Sequence, residues 1–150
     1  RMVAEFGYDA TVPRDATLRE RLAEAAPDGV DVVVDNVGGE QLQAAVAAAR
    51  PGARIVLIGT LAAQLSAASS GTTAPVELDT FQLIVKDITV RGLLSVDERT
   101  GAEWVERFGG WLRSGEITFP HTRIAGIDRA PEALQGLLSG RYVGTVVVEL

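Results

Sequence analysis

The chain of 150 residues has no cysteine, one histidine, one methionine, and aromatic side chains at only 5% of positions. Without cysteine, these residues can form no disulfide, offer zinc no thiolate and supply no thiol nucleophile. A lone imidazole, His121, cannot assemble a metal cluster, so no metal site is expected. Positive charge is also in short supply: 14 Lys and Arg face 20 Asp and Glu, for a net charge of -6. Such a surface repels a phosphate backbone, and nucleic acid is not an expected partner. No apolar run is long enough to cross a bilayer, and no basic stretch followed by an apolar one marks a secretory leader. No membrane partner is therefore expected, and the cytoplasm is the default location. With 47% hydrophobic and 23% charged residues, what is present suits one compact core.

Strands and helices alternate along the chain. Residues 1 to 6 read as the last turns of a helix closed by Gly7, with no capping residue ahead of them, so the sequence is expected to be truncated upstream. Ala10-Thr11-Val12 is a short strand candidate. Thr17 and Glu20 have capping-box spacing for a helix to about Ala26, and Pro27-Asp28-Gly29 is a turn. The run from Val30 to Val34 is β-branched enough for a strand buried on both faces of a parallel sheet. A helix over about Glu40 to Arg50 and a strand over Ala53 to Ile58 complete a βαβ unit. Residues 60 to 76, rich in Ala, Ser, Thr and Gly, show no period and read as a long loop. Further on, helices are predicted near Glu77 to Val85, over 100 to 114 and over Pro131 to Leu138. Strands are predicted at Ile88 to Leu94 and Gly144 to Leu150, with an extended stretch from Glu116 to Ala125. Ala102, Val105, Phe108 and Leu112 mark the apolar stripe of the 100 to 114 helix. The fold class is α/β.

In an open parallel sheet, ligands sit beyond the carboxyl ends of the strands. That rule selects Asn36 to Gly39, then Gly59 and Thr60, then Leu94 and Ser95, where glycine lets a ligand approach the backbone and Asn36 offers both a donor and an acceptor. The same glycines could instead merely turn the chain into a helix. Asp35 reads as a structural hydrogen-bond acceptor, and Trp104 and Trp111 as packing residues.

Several pieces in order, Phe6-Gly7-Tyr8-Asp9, Asp35-Asn36-Val37-Gly38-Gly39, Gly52 to Gly59 and Gly140-Arg141-Tyr142-Val143-Gly144 among them, give the chain a likeness over its whole length. It resembles the C-terminal half of a zinc-free, NADP-dependent member of the medium-chain dehydrogenase/reductase superfamily, in the quinone oxidoreductase and enone reductase branch. The resemblance implies that residues 1–98 are the second half of a dinucleotide-binding Rossmann domain. Residues 99–150 would return to a catalytic domain whose bulk lies upstream, as would the Gly-rich pyrophosphate loop. It implies cofactor contacts at Asn36 and Val37 and through the backbone of Leu93 to Ser95, and the strand-end rule adds Gly38, Gly59 and Thr60 as cofactor-binding candidates. Arg14 stands where the family usually has a tyrosine touching the 2′-phosphate of NADP, and an arginine suits that phosphate well. Arg14 can equally be a solvated charge beside Asp15. Tyr142 stands at the place of a family asparagine near the cofactor. The implied partners are a small-molecule substrate and a second copy, paired along the strand at Ile88 to Leu94. The implied reaction is hydride transfer from NADPH to a quinone or an activated carbon-carbon double bond, with no catalytic side chain assigned. Other readings are an inactive or structural remnant lacking the pyrophosphate loop, and a Rossmann-type methyltransferase. The 60 to 76 loop, beside the expected nicotinamide, is expected to be a mobile flap over the substrate pocket.

Overall fold

The computed structural model describes residues 2–66 and 72–150. Its contacts divide into two units, one ending at Asp97 and the other spanning Glu98–Leu150. Each unit contains parallel strands and helices.

The first unit opens with α1 (Met2–Phe6), which ends at Gly7 with φ 72°, a left-handed conformation open to glycine at no steric cost. Residues 10 to 12 form no strand: a strand exists only within a ladder, and no described segment pairs with them. Helix α2 (Leu18–Ala25) lacks the expected capping box. The Thr17 hydroxyl instead donates to Asp15 Oδ1 at 2.6 Å and accepts from Arg21 Nε at 2.9 Å. Asp15 also accepts the Thr17 N–H, and the two bonds from Thr17, hydroxyl first, hold its carboxyl below the ordinary carboxylate range. This local turn competes with the cap for the same hydroxyl.

Strands β1 (Val30–Asp35), β2 (Ala49–Leu57) and β3 (Thr89–Gly92) lie side by side in chain order, all parallel. Helix α3 (Gly39–Ala48) joins the first two and α5 (Thr80–Val85) precedes the third. Helix α3 ends earlier than expected because Pro51 disfavours helical backbone at Arg50, and β2 begins at the next residue, Ala49. Two bonds brace this junction from the α5 side: Lys86 Nζ donates to Ala47 O at 2.9 Å, and Gly52 N–H donates to Lys86 O at 2.7 Å. Helix α5 starts at Thr80 rather than near Glu77, because Asp79 caps it and accepts from Gln82 N–H at 3.2 Å. Strand β3 is shorter than expected; beyond it a single bond, Leu93 N–H to Leu57 O at 2.9 Å, continues the ladder.

Leu42, Val46 and Ile55 are the fully packed centre of this unit, with Val33, Leu57, Leu83 and Ile88 around them. All of the strand residues among these lie on one face of the sheet. In register on the other face are Val32 with Arg54 and Val34 with Val56. There Val32 is 53% and Val34 65% exposed, so the expected burial of β1 on both faces is not found. Successive crossovers of one hand, running in one direction along the sheet, put both connecting helices on the same side.

The predicted loop over 60 to 76 contains a short helix, α4 (Leu61–Gln64). Residues 67–71, the centre of the expected flap, lie outside the described residues.

In the second unit, β4 (His121–Ala125) pairs in parallel with β5 (Thr145–Glu149) across α7 (Ala130–Leu138). Helix α6 (Glu98–Ser114) carries a ring cluster: Trp104 stacks on Phe108 at 5.2 Å, meets Trp111 edge-on at 6.1 Å, and Phe108 meets Phe119 at 5.9 Å. Of the helical stripe expected at Ala102, Val105, Phe108 and Leu112, only Phe108 is half-buried and the others are exposed; no residue of α6 is fully buried.

Candidate functional site

Because β1, β2 and β3 are parallel, their carboxyl ends share one edge of the sheet, and the segments after them meet there. After β1 the chain makes a tight turn around Asp35. Its buried carboxylate accepts the Val37 N–H at 3.2 Å and the Gly38 N–H at 2.9 Å, an Asx-type turn that leads into α3. Gly38 takes φ 73° in this turn, and a Cβ placed there would meet nothing within 4 Å, so the backbone is open to a ligand.

The segment after β2 is bonded to that turn. Ile58 N–H donates to Asp35 O at 2.8 Å, Leu61 N–H to Asn36 O at 3.2 Å and Ala62 N–H to Val37 O at 3.0 Å. The amino end of α4 thus satisfies the carbonyls of the β1–α3 turn, and the two loops form one platform. Sequence reasoning missed this link, since α4 is too short and alanine-rich to signal itself.

Between the loops lies a cavity of about 360 Å³, within the range of small-ligand sites. Val37, Gly38, Gly59 and Thr60 line it, as do Leu42 and Val76. Of the residues singled out in the sequence, these first four are gathered into one site and Asn36 borders them in the same turn. Leu93, Leu94 and Ser95 follow β3 at the same sheet edge, with Leu94 fully exposed, but they do not line the cavity. Arg14 is exposed and does not line it either. Tyr142 belongs to the second unit, where its ring packs against Gly136.

The electrostatics decide what this turn can accept. Asp35 has already taken the Val37 and Gly38 N–H groups and places a carboxylate beneath them, so the turn is a poor cradle for a phosphate. It suits an uncharged ring or a sugar hydroxyl. The walls are mainly apolar side chains and glycine backbone, and the Asn36 carboxamide enters no hydrogen bond among the described residues. The nicotinamide riboside end of a dinucleotide fits such a donor set, and its pyrophosphate does not.

Comparison with known proteins agrees with this geometry. The zinc-binding dehydrogenase family matches residues 1–108. The chain belongs to that family, as the C-terminal half of a medium-chain dehydrogenase/reductase. It is 31% identical over 154 residues to the NADP-dependent oxidoreductase RED1 of Cochliobolus heterostrophus, matching 97% of this chain and 40% of that protein. It is 27% identical to the NADPH-dependent curcumin reductase of Escherichia coli over 97% of this chain and 43% of that one. Among solved structures, CurA from Vibrio vulnificus in complex with NADPH superimposes with a TM-score of 0.79 at 28% identity, covering 99% of this chain and 45% of its own. The chain therefore spans about two fifths of the length of the curated relatives it matches. Membership of this family sets aside the methyltransferase reading. Among the described residues no helix is long and apolar enough to cross a membrane.

Proposed function

We propose that the whole protein is an NADPH-dependent oxidoreductase that delivers hydride to a small molecule, a quinone or an activated carbon-carbon double bond. The observation that carries this reading is the meeting of Asn36–Gly38 with Gly59–Thr60 around one mainly apolar cavity at the carboxyl ends of parallel strands. Support comes from relatives named as NADP-dependent oxidoreductase and NADPH-dependent curcumin reductase. On this reading, residues 1–98 are half of a dinucleotide-binding domain and residues 99–150 return to a catalytic domain.

The bound nicotinamide supplies the hydride chemistry. The residues of this chain bind and orient it. Asn36, with Val37 and Gly38, offers the ribose a side-chain amide and an open backbone, while Gly59 and Thr60 close the opposite side. The backbone of Leu93, Leu94 and Ser95 takes the carboxamide, and Arg14 takes the 2′-phosphate that distinguishes NADP from NAD. Leu42 and Val76 keep water from the cavity wall. This chain offers no cysteine and a single histidine, so the function we propose is zinc-independent as far as these residues are concerned. A cysteine-free chain gains nothing from an oxidising compartment, and the cytoplasm is the compartment we propose.

The test is turnover by the full-length enzyme with NADPH and either a conjugated enone or a quinone, followed by loss of NADPH absorbance. Consumption that requires the acceptor is the expected result. NADPH left intact with both acceptors would overturn the assignment.

We also propose a homodimer. Strand β3 is an outer strand of its sheet, and its free edge is a template for pairing with a second copy. Light scattering of the full-length protein is expected to give twice the chain mass, and a single-chain mass at high concentration contradicts the pairing.

A further inference from the structure

Gly59 was selected in the sequence as a glycine that lets a ligand reach the backbone, and the structure gives it a different neighbour. A Cβ built at Gly59 would collide with Asn36: it overlaps Oδ1, and it lies 2.9 Å from the Asn36 carbonyl oxygen and 3.1 Å from Cγ. No other atoms are among its nearest contacts. Gly59 is not in the left-handed region of backbone space, unlike Gly38 and Gly39 at φ +73° and +58°. An alanine at 59 therefore meets no left-handed backbone penalty, and the three atoms nearest its Cβ all belong to Asn36. The Asn36 main chain is already fixed by its bond to Leu61 N–H and by the Asp35 turn that follows. The carboxamide can rotate away from the overlap at Oδ1, and the 2.9 Å approach to the carbonyl oxygen stays.

We propose that Gly59 is a positioning residue: it has no side chain so that the Asn36 carboxamide can lie across the end of β2, in the one orientation from which it serves the cofactor. This rests on the cofactor reading above, and it goes further in assigning Gly59 an action through Asn36 rather than on the ligand. A methyl group at 59 rotates the carboxamide away while leaving the cavity wall otherwise intact.

The test is a double-mutant cycle in the full-length enzyme with Gly59→Ala, Asn36→Ala and both together. NADPH affinity is measured by fluorescence and thermal midpoints are measured without cofactor. Each single variant is expected to raise the NADPH Kd about tenfold, and the double variant to be no weaker than Asn36→Ala within about twofold, the signature of two changes acting through one group. Multiplied effects, about a hundredfold in the double variant, would mean that Gly59 meets the ligand directly and would overturn the proposal. The cofactor-free midpoints read the collision independently: Gly59→Ala is expected to lower the midpoint and the added Asn36→Ala to restore most of the loss, since the approach to the carbonyl oxygen stays. If Gly59→Ala does not fold and the double variant does, the steric link holds. If neither folds, the collision is with the main chain and the proposal fails. An Asn36→Ala enzyme with unchanged NADPH affinity, but with the midpoint rescue intact, removes the cofactor reading of this turn while keeping the steric link, and the positioning role falls with it.

Discussion

Replacing Arg14 by alanine in the full-length enzyme is expected to weaken NADPH binding about tenfold, the worth of roughly one charge-assisted hydrogen bond at a solvated site. NADH binding is expected to change by less than about twofold, as for surface substitutions that touch nothing. The argument is one of charge and position. Arg14 follows the segment at 10 to 12 and precedes the Asp15 turn, its guanidinium is exposed, and no ion pair to Asp15 is formed. Asp15 spends its carboxylate on Thr17, which leaves the arginine available to an outside anion. The 2′-phosphate is the only charge that separates the two cofactors at this end. Calorimetric titration with each cofactor checks it, and equal losses for both would show that Arg14 supports the fold rather than the phosphate.

The second large effect is on stability. Ile55→Ala is expected to cost about 2–5 kcal/mol in denaturant unfolding of the full-length enzyme, from lost burial plus the cavity left behind. Ile55 is fully buried at the middle of the central strand, between Leu42 and Val46 of α3 and the side chains around α5. Neither helix can move in to fill the space, because the brace from Lys86 to Ala47 and Gly52 fixes their separation. Ile55→Val removes one methylene, and its expected cost is about 0.5–1.5 kcal/mol. An Ile55→Ala loss below about 1 kcal/mol would mean that this cluster is not the stabilising core.

Much of the fold was legible from the chain because its signals are local. The β-branched run at Val30–Val34, the Pro51-Gly52 break and the turn glycines each act within a few residues, and the corresponding elements formed. What the sequence hid depends on partners far along the chain. Residues 10 to 12 have strand composition but no pairing segment among the described residues. The Thr17 hydroxyl had two local bonds to choose between, and Asp15 won. Val32 and Val34 look like core residues yet face outward, because composition reports that a side chain is apolar and not which element will cover it. The site divides in the same way. The strand-end rule selected Val37, Gly38, Gly59 and Thr60, and these residues line one cavity. The roles of the two glycines could not be told apart, since one reports on backbone angle and the other on a side chain that arrives from 23 positions earlier, as the difference between 59 and 36. Asp79 was the one missed cap with a readable signal, a helix-capping residue three positions ahead of Gln82.

The passage from α3 into β2 has no linker: Ala48 ends the helix and Ala49 begins the strand. Among descendants of such a chain, gains and losses of residues are therefore partitioned sharply. In a connection between anchored elements a residue more or less alters only how far the chain travels, at a cost that grows slowly with length. Between Ala53 and Leu57, one extra residue turns the strand over, bringing Arg54 towards Leu42 and Val46 and sending Ile55 to the open side of the sheet. Drift in length thus falls on connections, while the strand that supports the floor of the cavity stays fixed in register.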